Sequence, residues 1–120
     1  MSLTAGIDVG STYTKALILR DGFEIAGRAV ASTGFKLAET SRRLYELALR
    51  DAGLQATEVD YVVSTGFGRH MVDFSDVHVT DLTASARGVA FLFPGTRTIL
   101  DVGGQTMKAS RLDASAKVKS

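Results

Sequence analysis

Asp8-Val9-Gly10-Ser11-Thr12-Tyr13-Thr14-Lys15-Ala16 stands near the start of the chain, and Asp101-Val102-Gly103-Gly104-Gln105-Thr106-Met107-Lys108-Ala109 near its end. Both follow one template: Asp-Val-Gly, four residues, Lys-Ala. Apolar residues precede each copy, Ile7 in the first and Ile99-Leu100 in the second. Each copy has the parts of a phosphate-holding β-hairpin. A carboxylate ends a buried strand. A turn of small residues follows, with backbone N–H groups that a phosphate can approach closely. A strand carrying hydroxyls and a lysine comes next. Two such hairpins facing each other would grip the phosphates of one nucleotide.

Residue types assign the roles. Gly10, Ser11 and Thr12 cradle phosphate in the first copy, and Gly103, Gly104 and Gln105 in the second. Lys15 is a flexible point charge for the outer phosphate oxygens. Asp8 and Asp101 are hard oxygen ligands, and Mg2+ uses few protein carboxylates and keeps several waters. Gln105 has the chemistry to orient an attacking water. Asp81 opens a helix, where it serves either the helix N-terminus or a metal-bound water. Lys108 reads as an exposed strand lysine. The catalytic set is thus Asp8, Asp101 and Gln105, with Asp8, Asp101 and Asp81 toward the metal.

Outward from the first copy, residues 4–9, 13–20 and 23–32 read as three strands, with Asp21-Gly22 a hairpin turn. The middle strand reads as buried on both faces. Met1-Ser2-Leu3 reads as an expression scar. Residues 36–52 predict a helix with Leu37, Leu44, Leu47 and Ala48 on one face and Gly53 as its C-cap. Glu39–Arg43 and Glu46–Arg50 have the favourable i,i+4 order, and Arg42-Arg43 reads as a solvated face. A short strand over 59–64 closes at Gly66-Phe67-Gly68, with Arg69 exposed. A shorter strand covers 77–80. A second helix runs from Asp81 to Phe93, stopped by Pro94-Gly95, and a hairpin spans 97–112. His70 and His78 read as surface or packing residues.

The order is a three-strand antiparallel meander, then helix-linked strands, then a new hairpin. This predicts an α/β fold: a ribonuclease H-like lobe with a mixed sheet over 4–95, and at 96–120 the opening hairpin of a second, truncated lobe.

Composition excludes several classes. The 120 residues carry a net charge of +1, from 14 basic and 13 acidic side chains, so no strong field draws nucleic acid or an anionic membrane. No cysteine is present, which excludes a thiolate nucleophile or a cysteine-held cluster within this chain. Two isolated histidines lack zinc-site spacing. No apolar run approaches the ~20 residues that span a bilayer, and no secretory signal opens the chain, so the expectation is cytoplasmic. A Gly-x-x-x-x-Gly-Lys-Ser/Thr loop is lacking, so this is no P-loop protein.

The stretch from Gly6 to Lys15 resembles the first phosphate motif of the actin, heat-shock chaperone and sugar kinase superfamily. Residues 99–108 resemble its second, and Thr80 to Ala86 its connecting helix. Together with Asp101-Val102-Gly103-Gly104-Gln105, the stretches Ser64-Thr65-Gly66-Phe67-Gly68-Arg69 and Phe93-Pro94-Gly95-Thr96-Arg97 narrow the match. They resemble the ATPase family of benzoyl-CoA reductase subunits and 2-hydroxyacyl-CoA dehydratase activators. The resemblance covers Gly6 to Leu112.

It implies an actin-type lobe that binds ATP and Mg2+ and couples hydrolysis to low-potential electron transfer. It also implies a dimer with the same or a homologous ATPase subunit around one [4Fe-4S] cluster, fed by a ferredoxin-like donor. The electron then passes to acyl-CoA-reducing partner subunits, as in anaerobic aromatic degradation. The cluster cysteines and adenosine-binding segment of the family lie beyond the second motif, so the cluster belongs to the full-length dimer and the chain reads as an N-terminal fragment. Dehydratase activators often carry Cys-His in the connecting helix, where Ala84-Ser85 stand here. That favours a benzoyl-CoA reductase ATPase subunit. The alternatives are a dehydratase activator, a sugar or acetate-type kinase, a non-enzymatic actin-like or chaperone-like nucleotide switch, and a nuclease using Asp8 as a metal ligand. The last needs further carboxylates around Asp8.

Overall fold

A computed structural model describes residues 2–92, 94–95, 98–102, 107–111 and 117–118. Side-chain alternation sets the first strand: Leu3, Ala5, Ile7 and Val9 of β1 (Leu3–Val9) are buried, and Thr4, Gly6 and Asp8 point the other way. β2 (Tyr13–Arg20) and β3 (Glu24–Ser32) complete the antiparallel meander. At the β2–β3 turn both Asp21 (φ 56) and Gly22 (φ 79) adopt the positive φ that Asp-Gly permits. β4 (Tyr61–Thr65) then runs parallel to β1, and β5 (Val77–His78) parallel to β4. The sheet order is β3-β2-β1-β4-β5, so β1 sits at its centre.

Helix α1 (Leu37–Ala52) covers one face of this sheet. Its inward residues are Thr40, Ser41, Leu44, Tyr45, Ala48 and Leu49. They meet Ala5, Ile7, Val9, Ala16, Ile18, Val62 and Val72 in one core. Gly53 ends the helix in the left-handed conformation, as expected.

Several details differ from expectation. Leu47 is 40% exposed and lies off the packed face; Tyr45 and Leu49 fill it instead. β2 buries Thr14, Ala16 and Ile18 but leaves Leu17 and Leu19 only partly covered, because α1 lies on one side of the sheet. Leu3 belongs to β1 and is buried. Glu39 pairs with Lys36 at 4.0 Å rather than with Arg43. Arg42 is not simply solvated: it holds Asp73 at 2.6 Å and lies over Phe74, whose ring stacks on Tyr45.

The chain forms two compact units, Met1–Val79 and Thr80–Ser120. The second contains α2 (Asp81–Leu92) and the antiparallel hairpin of β6 (Thr98–Val102) and β7 (Met107–Arg111). By compactness, then, α2 goes with the β6–β7 hairpin.

Candidate functional site

The β1–β2 connection brings Asp8, Gly10, Ser11, Thr12 and Lys15 together at one end of the sheet. Asp8 and Lys15 are register partners across the two strands, which puts both side chains on the face opposite α1. Asp8 Oδ2 lies 3.6 Å from Lys15 Nζ, with the side chains 41% and 59% exposed. An ion pair that open is weak. Little is lost when the lysine turns toward another anion.

Within the turn, the Gly10 N–H donates to Tyr13 O at 3.0 Å. Gly10 therefore closes the turn rather than offering its own N–H to phosphate. A Cβ there would stand 2.7 Å from Tyr13 O, so a side chain would force the turn open. The Ser11 and Thr12 N–H groups have no partner among the described residues, and they are the turn's available donors.

A residue that no sequence motif singled out fixes this turn. Thr33, fully buried just after β3, donates its hydroxyl to Gly10 O at 2.7 Å. Its N–H donates to Thr12 O at 2.9 Å. Its hydroxyl also meets that of Thr14 at 2.9 Å, and Thr40 at the start of α1 donates to Thr33 O at 2.9 Å. The first turn of α1 is thus tied to the cradle through one threonine.

The β4 end adds a second wall. Gly66 has φ 91, and a Cβ on it would fall 2.7 Å from Asp8 Oδ1 and into Val9 O. Glycine is needed here because the β4 turn passes directly against the carboxylate. Arg69 is half-buried rather than exposed, and its guanidinium donates to Gly66 O at 2.9 Å. Beneath them the buried Ser64 hydroxyl meets Arg69 O, Ser75 Oγ and His78 Nδ1 at 3.0, 3.1 and 2.6 Å. His78 therefore has a partner in the fold, and its ring makes an edge contact with that of His70.

The other sequence candidates lie in the second unit. Thr80 caps α2, accepting from the Thr83 N–H at 3.2 Å. Asp81 is the first helical residue, and its Oδ1 accepts from the Leu82 N–H at 3.1 Å. In the second hairpin Asp101 and Lys108 are register partners, as Asp8 and Lys15 are in the first. Gly103, Gly104 and Gln105 lie outside the described residues, as do the side chains of Asp101 and Lys108.

This donor set fits a hydrated magnesium ion better than a fully protein-bound metal. Asp8 offers one open carboxylate, and no group of three or more His, Cys, Asp or Glu gathers among the described residues. Magnesium that keeps its waters and binds phosphate needs no more than that from one hairpin.

Comparison with known proteins fits this geometry. The activator of lactoyl-CoA dehydratase from Anaerotignum propionicum is 40% identical over 116 residues, covering 97% of this chain and 44% of that protein. A benzoyl-CoA reductase subunit from Thauera aromatica is 36% identical over 126 residues, covering 99% and 43%. This chain thus spans less than half the length of these relatives. Its fold matches the crystal structure of component A of (R)-2-hydroxyglutaryl-CoA dehydratase from Acidaminococcus fermentans, with TM-score 0.92, 29% identity and coverage of 100% of this chain and 46% of that one. The ROK hexokinase of Thermus thermophilus (TM-score 0.72, 19% identity, 97% and 48% covered) shares the fold alone. The five-stranded mixed sheet is that of the actin-like and sugar kinase ATPases. Residues 5–120 match the BadF/BadG/BcrA/BcrD ATPase family, and the chain belongs to it.

Proposed function

We propose that this chain is the N-terminal, phosphate-holding part of a longer subunit that couples ATP hydrolysis to low-potential electron transfer. The observation that carries the reading is the β1–β2 turn, where two N–H groups unpartnered among the described residues, a loosely paired lysine and an open carboxylate converge. In this reading Ser11 and Thr12 donate to phosphate oxygens, and Lys15 leaves Asp8 to neutralise them. Asp8 holds hydrated magnesium, which would supply charge neutralisation. Phosphoryl transfer needs mainly positioning and charge neutralisation, and these groups provide both. The second hairpin repeats the Asp-to-Lys register, which supports Asp101, Gly103 and Gly104 as a second phosphate-holding set, with Gln105 orienting water. Asp81 is the further candidate for a metal-bound water. We place the lobes of the longer protein at 4–95 and from 96 onward, a division of the whole subunit distinct from the compact units within this chain.

The partner is proposed to be an acyl-CoA-transforming enzyme in the cytoplasm. Ala84-Ser85 in α2 favours a benzoyl-CoA reductase. The 40% identity to a lactoyl-CoA dehydratase activator supports the second reading, activation of a 2-hydroxyacyl-CoA dehydratase. Either assignment takes a dimer and a [4Fe-4S] cluster held by cysteines outside this chain, with a ferredoxin-like donor.

Calorimetric titration with magnesium ATP tests the site. Lys15→Ala and Asp8→Ala are each expected to weaken binding by about tenfold or more, the scale of a lost charge-assisted contact of ~1.5–3 kcal/mol. Binding that ignores both changes would sink the reading. The partner is tested by which acyl-CoA enzyme the reduced longer protein activates in the presence of ATP.

A further inference from the structure

Thr65 ends β4 with a buried hydroxyl that has no hydrogen-bond partner among the described residues. Buried hydroxyls are rarely left so, and the exceptions call for an explanation. Thr65 is the register partner of Asp8 across the parallel β1–β4 pair, as Lys15 is across β1–β2. The three therefore form one row, Lys15–Asp8–Thr65, on the face opposite α1. Asp8 leans to the Lys15 side, with Oδ2 3.6 Å from Nζ. Its other oxygen lies against Gly66, the residue next to Thr65.

The Thr65 oxygen is closed to bulk solvent. The side-chain acceptor that faces it by register is the Asp8 carboxylate. We infer that Thr65 is a positioning residue with a two-position partner. Asp8 rests on Lys15 without nucleotide and takes the Thr65 O–H when Lys15 turns to phosphate. The hydroxyl then fixes the carboxylate at the moment its cationic partner leaves. The threonine is left unpaired in the resting state because its hydrogen bond belongs to the occupied one.

This rests on the phosphate-site reading, and the test separates the two. The full chain is titrated with magnesium ATP as wild type, Thr65→Val, Thr65→Ser, Asp8→Ala and Thr65→Val/Asp8→Ala. Melting is followed without nucleotide. Thr65→Val is expected to leave Tm unchanged or raise it by a few degrees, about the size of one relieved buried hydroxyl. It weakens magnesium ATP binding about fivefold. Thr65→Ser retains wild-type affinity, and Thr65→Val adds nothing in the Asp8→Ala background. A fall in Tm on Thr65→Val would show that the hydroxyl already has a partner and overturn the inference. So would wild-type affinity in Thr65→Val where Asp8→Ala loses binding. If the wild type binds no magnesium ATP, or Asp8→Ala does not weaken it, the phosphate-site reading itself fails and the inference falls with it.

Discussion

One threonine sets the shape of the phosphate turn. The hydroxyl of Thr33 reaches Gly10 O and the hydroxyl of Thr14, and its N–H reaches Thr12 O, so a residue 23 positions along the chain from Gly10 holds three points of the β1–β2 turn. Thr33→Val keeps the shape of the side chain and removes the hydroxyl. Gly10 O and the Thr14 hydroxyl then lose partners inside the fold, at a cost of about 1–3 kcal/mol. Urea unfolding should show that loss. Magnesium ATP affinity should fall with it, because the Ser11 and Thr12 N–H groups are no longer aimed. Thr33→Ser should restore most of both. A Thr33→Val chain that keeps wild-type stability would mean the bonds contribute nothing net. Residue patterns offer no route to Thr33, because Ser32-Thr33-Gly34 reads as an ordinary strand break and the bonds form only when α1 and β1 close around it. The closeness of Gly66 to Asp8 escaped for a related reason: it depends on β4 pairing with β1, which no local pattern announces.

Elements were more legible than contacts. The strands, both helices and the Asp21-Gly22 turn lie within a few residues of expectation, because period-2 and period-3.6 patterns and turn residues are local signals. Which side chains a helix buries is less local. Leu47 fits the apolar stripe by type, yet Tyr45 and Leu49 take the packed positions, where Tyr45 also stacks on Phe74 with ring centroids 4.8 Å apart. Arg42 also lies over the Phe74 ring, so the segment after β4 is clasped to α1 by an aromatic pair and an ion pair. Burial raises the Tyr45 phenol above its ordinary pKa, and the nearby Asp76 charge adds to the shift. The unfolded chain therefore loses this proton first as pH rises. Below the ordinary tyrosine pKa of about 10 the full stability is present. Above it stability falls, until the folded pKa is passed. Tyr45→Phe should flatten that alkaline slope in denaturant midpoints measured on either side of about pH 10. An unchanged slope would assign the fall to another group.

At the scale of the molecule, the repeated template proved to be a repeated register: Asp8 faces Lys15 and Asp101 faces Lys108. Identical spacing in the sequence became identical pairing, which is why the hairpins were readable from the chain. Division into compact units leaves no such local trace, since an amphipathic helix such as α2 carries no mark of which unit it packs in. Every residue of the described core falls between Leu3 and Val72, with Phe74 the last to pack against it, inside the unit that ends at Val79. The first unit thus owns its sheet, its helix and the complete β1–β2 turn. A chain ending after Val79 is therefore expected to fold by itself. Small units bury proportionally less surface, so its margin will be thin. It should still melt in one cooperative transition by circular dichroism, and Leu44→Ala should lower its stability by about 2–5 kcal/mol or unfold it outright. Non-cooperative melting would show that the second unit is needed to complete the core. Cooperative melting together with magnesium ATP affinity equal to that of the full chain would place all of this chain's phosphate contacts in the first hairpin. Cooperative melting with weaker binding would instead assign a share of the grip to the second.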